Sequence, residues 1–163
     1  ILHNIMTPKR QTNWQLYTND NNVLSSSMIS WVQEDESLIK RLSKKYGSIT
    51  LEVLSEKICM HSDKEISKLQ LEGNLRKIFL SADRKVVFAE SFFSEYVIKK
   101  FTKFSALGSE ALGKYLFSLK EIAKTRTFIS KYEYENKVYT GRKCIYSISG
   151  ELFSVIEVFL FNE

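Results

Sequence analysis

The sequence predicts an α+β domain in which helices pack against an antiparallel sheet. Helical spacing of apolar residues is confined to two segments, whereas period-two alternation and turn residues fill most of the remainder. The predicted strands follow one another as hairpins instead of alternating with helices, which is typical of an antiparallel sheet. At 163 residues, with 44% apolar and 26% charged side chains, the chain has the size and composition of one globular domain.

The first predicted helix runs from Ser25 to Tyr46. It follows a polar turn cluster at 18–22, so we expect residues 1–24 to form an N-terminal arm and residues 25–163 the domain itself. Gly47 is a natural stop for this helix, and the acidic pair Asp35-Glu36 marks a point where it could break into two shorter pieces.

Six strands and a second, short helix are expected after Gly47. The helix is placed at Ser109 to Phe117, with Ser109 as its N-cap. The strands are joined in part by polar turns at 82–85, 135–137 and 150–151. They are predicted at Ile49 to Val53, Leu75 to Ser81, Val86 to Phe93, Thr125 to Tyr134, Lys143 to Ser149 and Leu152 to Phe161.

Composition excludes several classes of function. The net charge of +5 comes from scattered Lys and Arg residues without a basic stripe, so nucleic acid is not the expected partner. Two cysteines, Cys59 and Cys144, and two histidines, His3 and His61, have no metal-site spacing, and we expect both thiols to be reduced. No apolar run approaches the ~20 residues that a membrane span needs.

Two charged residues stand where the strand pattern calls for apolar ones. Arg76 shares a strand face with Ile78 and Leu80, and Glu157 lies within the apolar stretch LFSVIEVFLF. A lone buried charge is costly, so each needs a partner. The pair could be structural ions, or it could line a closed pocket in which Arg binds a carboxylate and Glu accepts from a hydroxyl. The pattern alone leaves both interpretations open.

Four segments together resemble the chorismate pyruvate-lyase family. They occur in the family's order and with similar spacing, over the chain from about Trp31 to Phe161. The segments are ESLIKRLSKKYG (36–47), LRKIFLSAD (75–83), LGKYLF (112–117) and GRKCIYSISGELFSVIEVFL (141–160). The segment FAESFF (88–93) lacks the basic residue and proline of the well-known bacterial lyases, and its A-x-S pattern is similar to the cyanobacterial and plastid-encoded branch.

The resemblance implies a single α+β domain that encloses a small molecule, and conversion of chorismate to 4-hydroxybenzoate and pyruvate for quinone head-group synthesis, without metal or cofactor. By the matching segments, Arg76 corresponds to the arginine that binds the ring carboxylate and Glu157 to the glutamate that meets the ring hydroxyl. The main-chain N–H groups of Leu38 and Leu112 correspond to two further ligand contacts. Arg76 and Glu157 are then expected at opposite ends of one ligand, not in direct contact.

The alternative is a non-catalytic domain of the same fold that binds an aromatic acid. Residues 1–14 have neither a signal-peptide nor a transit-peptide pattern. The Lys-, Ile-, Ser- and Asn-rich composition resembles products of AT-rich genomes. We therefore expect a plastid location for an algal protein and a cytoplasmic one for a bacterial protein. Because the apolar residues fit one core, a monomer is expected.

Overall fold

The structure is a computed structural model that describes residues 5–20, 23–105, 107, 112, 116 and 119–162. Within these residues, one eight-stranded sheet carries three α-helices, and a 3₁₀ turn follows the third helix at Thr102–Ser105. The helices are α1 (Ser26–Val32), α2 (Leu38–Tyr46) and α3 (Glu95–Lys100). The strands are β1 (Lys9–Arg10), β2 (Gln15–Leu16), β3 (Thr50–His61), β4 (Leu71–Ser81), β5 (Lys85–Ser94), β6 (Ile122–Tyr134), β7 (Lys137–Ile148) and β8 (Glu151–Phe159).

Every strand pairing in the sheet is antiparallel, which confirms the predicted fold class. The strand order is β1-β6-β7-β8-β5-β4-β3, and β2 also pairs with β6. The N-terminal arm thus contributes two short strands to one edge of the sheet, while β3 forms the other edge. The boundary between arm and domain at residue 24 stays a prediction.

The helix predicted over Ser25 to Tyr46 is broken in two near Asp35. Ser25 caps α1 by accepting from the Met28 N–H at 3.1 Å, and Ser37 caps α2 by accepting from the Lys40 N–H at 3.3 Å. A second N-cap serine in mid-segment therefore starts a new helix. Gly47 ends α2 with a φ of 87°, a conformation that glycine adopts without strain.

Several elements differ from the sequence prediction. The strands β4, β6 and β7 begin earlier than predicted, and β1 and β2 were not predicted. β3 extends to His61, because a bulge between Val53 and Ser55 shifts the alternation that ended the predicted strand. The helix α3 was not predicted, and its six residues are too few for a clear helical period. The predicted helix at 109–117 lies outside the described residues except at two positions, where the Leu116 N–H donates to the Leu112 carbonyl at 3.2 Å.

The sheet curls on itself. In a flat sheet, β4 and β6 would lie about 19 Å apart, since three strands separate them and neighbouring strands are spaced by about 4.8 Å. Yet the rings of Phe79 on β4 and Tyr134 on β6 have centroids only 6.0 Å apart. Their face is therefore concave, and aromatic side chains from both ends of the curl fill it.

The opposite face is covered by helices, and it is called the helix-covered face below. Two apolar clusters pack there. One joins α1 and α2 to β4, β5 and β8 through residues such as Trp31, Leu42 and Phe159. The other joins α3 and its neighbours to β7 and β8 through residues such as Phe93, Phe104 and Phe153. Among the described residues, no helix is long and apolar enough to cross a membrane.

Candidate functional site

A cavity of about 450 Å³ lies between the sheet and its helical cover. Its size falls in the range of small-molecule sites. The floor comes from β4, β5, β7 and β8, and the cover from α2, the segment 33–37 that links α1 to α2, and two leucines near residue 115. The lining residues are Glu34, Glu36, Ser37, Leu38, Ile39, Arg76, Ile78, Leu80, Ala89, Ser91, Leu112, Leu116, Arg142, Tyr146, Val155 and Glu157.

Arg76 provides positive charge at one side of this cavity. It lies in the middle of β4, where strand alternation places it on the helix-covered face with Ile78 and Leu80, and only 2% of it is exposed. Glu56 stands directly across from it on the edge strand β3. Burial lowers the pKa of the Arg76 guanidinium, and the negative charge of Glu56 opposes part of that shift. A buried guanidinium beside an apolar cavity is suited to bind a carboxylate.

Glu157 lies on the same face, on β8. Its carboxylate Oε1 accepts from Arg142 Nε at 2.9 Å, and the side chains of the pair are 13% and 4% exposed. Arg142 is on the neighbouring strand β7, directly opposite Glu157 in the register. The charge of Glu157 is therefore balanced inside the protein by an arginine.

Arg142 also binds the helical cover. Its Nη1 donates to the main-chain carbonyls of Trp31, Val32 and Glu34, at 3.0, 3.2 and 2.9 Å. These carbonyls lie at and just beyond the C-terminal end of α1, where a positive charge is favourable. Burial lowers the pKa of the Arg142 guanidinium, but the charge and hydrogen bond of Glu157, together with the nearby Cys144 and Tyr146, raise it by more in total, so the net pKa is above the usual value.

The sheet register separates Arg76 from Glu157. Arg76 faces Ser91 on β5, whereas Glu157 faces Ala89, two residues earlier on that strand. Two strand spacings and a two-residue offset place their Cα atoms roughly 12 Å apart, before curvature is considered. The register thus keeps the two residues on separate strands of one face, while their placement at opposite ends of one ligand stays a prediction.

Leu38 and Leu112, the two other residues singled out from the sequence, both line the cavity. Leu38 is the first residue of α2, and first-turn N–H groups have no acceptor within their own helix. Leu112 accepts from the Leu116 N–H through its carbonyl, so its position is that of a helical turn. The structure therefore brings all four predicted site residues to one cavity, while their roles toward a ligand stay predictions.

Sequence reasoning missed two cavity residues on β7, Arg142 and Tyr146. The strand was predicted to begin at Lys143, one residue after Arg142, whereas β7 begins at Lys137. A useful signal was present: adjacent Arg142 and Lys143 point to opposite faces of a strand that is otherwise largely apolar. Burial makes the largest contribution to the raised pKa of the Tyr146 phenol, and the nearby Cys144 and Glu157 raise it further. The phenol therefore stays neutral and can donate a hydrogen bond beside the cavity.

Comparison with known proteins agrees with this geometry. The model of the family described as "Chorismate lyase" matches residues 8–163 of the chain. One similar protein, named "Probable chorismate pyruvate-lyase", comes from Pseudoalteromonas translucida (strain TAC 125). It is 25% identical over 154 residues, covering 84% of this chain and 86% of that protein. The family match spans the whole sheet, the segment 33–37 and every residue that lines the cavity, so the chain belongs to the chorismate lyase family.

Proposed function

We propose that the protein is a chorismate lyase that releases 4-hydroxybenzoate and pyruvate. The observation that carries the proposal is a cavity lined by both a buried arginine and a partly buried glutamate, in a chain of this family. 4-Hydroxybenzoate carries a carboxylate and a hydroxyl at opposite ends of a ring. Its carboxylate would suit Arg76 and its hydroxyl Glu157, with the ring against the apolar walls.

The reaction is an elimination from the chorismate ring. The bond between ring carbon C3 and the enolpyruvyl oxygen breaks, the hydrogen on C4 leaves as a proton, and the C4 hydroxyl stays on the ring. The released enolpyruvate then becomes pyruvate, and the ring becomes aromatic. Because aromatisation drives the reaction, a site that orients the ring and balances its charge can lower the barrier without a covalent intermediate.

The cavity residues suit these tasks. Arg76 would neutralise the ring carboxylate, and a guanidinium can do so with two parallel hydrogen bonds. Glu157 would accept a hydrogen bond from the C4 hydroxyl and so fix the orientation of the ring in the cavity. The walls around them are mainly apolar and include Ile78, Leu80 and Val155. Exclusion of water strengthens both polar contacts.

Incubation of the purified protein with chorismate tests the proposal. Formation of 4-hydroxybenzoate and pyruvate in equal amounts, well above the spontaneous rate, is the expected result. A matched control is the variant Arg126→Ala, which removes an exposed arginine whose Nη2 binds the Glu65 carbonyl away from the cavity. Binding of 4-hydroxybenzoate without any turnover of chorismate would contradict the lyase assignment and leave a non-catalytic binding domain.

The product would serve as the precursor of a quinone head group. This proposal rests on the lyase activity. 4-Hydroxybenzoate is an aromatic acid that a prenyl-transferring enzyme could consume. Loss of the protein from its source should then lower quinone content, and added 4-hydroxybenzoate should restore it. Restoration by pyruvate in place of 4-hydroxybenzoate would contradict this assignment.

A further inference from the structure

Arg142 is a buried cation at the cavity that the proposed ligand contacts do not use. It is 3% exposed, and two parts of its guanidinium bind different elements. Nε donates to the Glu157 carboxylate on β8, and Nη1 donates to three carbonyls at the end of α1 and in the segment 33–37. One side chain thus joins the floor of the cavity to its cover.

The bond from Arg142 fixes one oxygen of Glu157. Oε1 accepts from Nε at 2.9 Å, and the planar fork of a guanidinium sets the direction of this bond as well as its length. The remaining carboxylate oxygen is then held in a defined orientation at the cavity wall. A glutamate with free rotation about its terminal bonds would have to lose that freedom when a ligand binds.

We propose that Arg142 is a positioning residue that gives the cavity its preference for a ring hydroxyl, by orienting Glu157 and holding the cover over it. The inference rests on the proposed function, in which Glu157 meets the hydroxyl. Arg142 touches no ligand atom in this proposal. Its role is to prepare the acceptor in advance, so that little ordering is needed when the ligand enters.

Lysine cannot replace arginine in this role. A lysine has a single ammonium group at the end of a flexible stem, whereas Arg142 presents Nε and Nη1 to acceptors in different directions. The variant Arg142→Lys keeps the positive charge in the site but loses the two-directional contact. A change in selectivity in this variant would therefore report on geometry and not on charge alone.

The test compares 4-hydroxybenzoate with benzoate, which has the carboxylate but no hydroxyl. Calorimetry gives both dissociation constants for the wild type, Arg142→Lys and Arg142→Gln. The wild type should prefer 4-hydroxybenzoate at least about tenfold, the effect of one hydrogen bond to a charged group. In both variants the preference should fall to within about threefold, while benzoate affinity changes by less than about threefold because Arg76 still binds its carboxylate.

Lys124→Ala is the matched control. Lys124 Nζ also binds the segment 33–37, through the Glu34 carbonyl at 3.4 Å and the Asp35 carboxylate at 2.5 Å, and no contact between it and Glu157 is seen in the described residues. This variant should keep the preference for 4-hydroxybenzoate. Loss of the preference in Lys124→Ala as well would assign the effect to the cover and overturn the role of Arg142 on Glu157.

The remaining outcomes are also decisive. An unchanged preference in the Arg142 variants, or an equal loss of affinity for both ligands, overturns the inference and leaves Arg142 a structural residue. Failure of both variants to fold, judged from circular dichroism and thermal unfolding, does the same. A wild type that binds both ligands equally would instead contradict the proposed contact between Glu157 and the hydroxyl, so the two failures are distinguishable.

Discussion

Arg142 and Lys143 are neighbours on β7, and they enter opposite faces of the sheet. Both are 3% exposed and both are paired with carboxylates. On the helix-covered face, Arg142 and Glu157 border a cavity of about 450 Å³. On the concave face, Lys143 Nζ binds Asp63 at 2.5 Å and Glu65 at 3.1 Å. The surroundings of the two cations therefore differ far more than their burial does.

The cluster around Lys143 is a packed structural unit. Ser154 Oγ donates to the second oxygen of Asp63 at 2.6 Å, so both carboxylate oxygens of Asp63 are used. Asp63 and Glu65 come from the segment 62–70 between β3 and β4, which these contacts tie to the concave face. Buried charge alone does not mark a ligand site. A buried charge marks a ligand site where the fold also leaves space beside the charge, as on the helix-covered face.

The largest expected effect is on the concave face. Asp63→Ala leaves Lys143 buried with one of its two carboxylates removed, and breaking a buried pair in this way costs about 3–5 kcal/mol. Urea denaturation measures this loss in the free energy of unfolding. At a temperature where the variant is folded, its affinity for 4-hydroxybenzoate should equal that of the wild type. Asp83→Ala, at an exposed turn position, is the control and should change stability by less than about 0.5 kcal/mol.

The next effect is on the helix-covered face and should appear in binding. Arg76→Ala removes the cation expected to bind the ligand carboxylate, and truncating a buried charged partner costs about 2–5 kcal/mol of binding free energy. The dissociation constant for 4-hydroxybenzoate should rise at least about 30-fold, as measured by calorimetry. Circular dichroism should show an unchanged fold. A variant that binds normally would contradict the site, and one that only unfolds would favour the structural-ion interpretation.

A matched pair of small-to-large substitutions compares the space on the two faces. A Cβ added at Gly141 would lie 2.7 Å from the Tyr132 ring, so Gly141→Ala should cost about 1–3 kcal/mol of stability by overpacking the concave face. Ala89→Leu instead adds volume to the cavity wall. We expect it to lower stability by less than Gly141→Ala and to weaken ligand binding more. Thermal unfolding measures the loss of stability in both variants, and calorimetry measures the loss of ligand affinity. A larger stability loss in Ala89→Leu together with a larger affinity loss in Gly141→Ala would contradict the difference in space between the two faces.

The smallest effect is expected at the surface of the cover. Lys124 and Asp35 form an ion pair in which Asp35 is 79% exposed, and exposed pairs contribute about 0–1 kcal/mol. Lys124→Ala should therefore change the free energy of unfolding by less than about 1 kcal/mol, and the remaining difference should shrink in high salt. A loss comparable to that of Asp63→Ala would show that exposure does not separate the two ion pairs.

The sequence predicted the sheet well because hairpin turns and period-two alternation are local signals. It placed the break near Asp35 and the turn at 82–85 for the same reason. The length of β3 could not be read, since an edge strand with a bulge and little burial has no clear alternation. The helix α3 follows β5 without an intervening turn, and its helical character depends on packing.

The site was predictable only in part. Arg76 and Glu157 were found because single charges on apolar strands are conspicuous, and the family resemblance gave them different ends of a ligand. The ion pair between Glu157 and Arg142 was not found, because it joins residues 15 positions apart on paired strands. The bonds from Arg142 to the end of α1 cross more than 100 residues of sequence and depend on how the cover packs.

A crystal structure with 4-hydroxybenzoate tests the central claim most directly. The account predicts the ligand in the cavity on the helix-covered face, with its carboxylate within hydrogen-bond distance of the Arg76 guanidinium. Its hydroxyl should lie within hydrogen-bond distance of Glu157, while Glu157 keeps its bond to Arg142. A ligand bound elsewhere, or one turned so that its carboxylate contacts Arg142, would contradict the account.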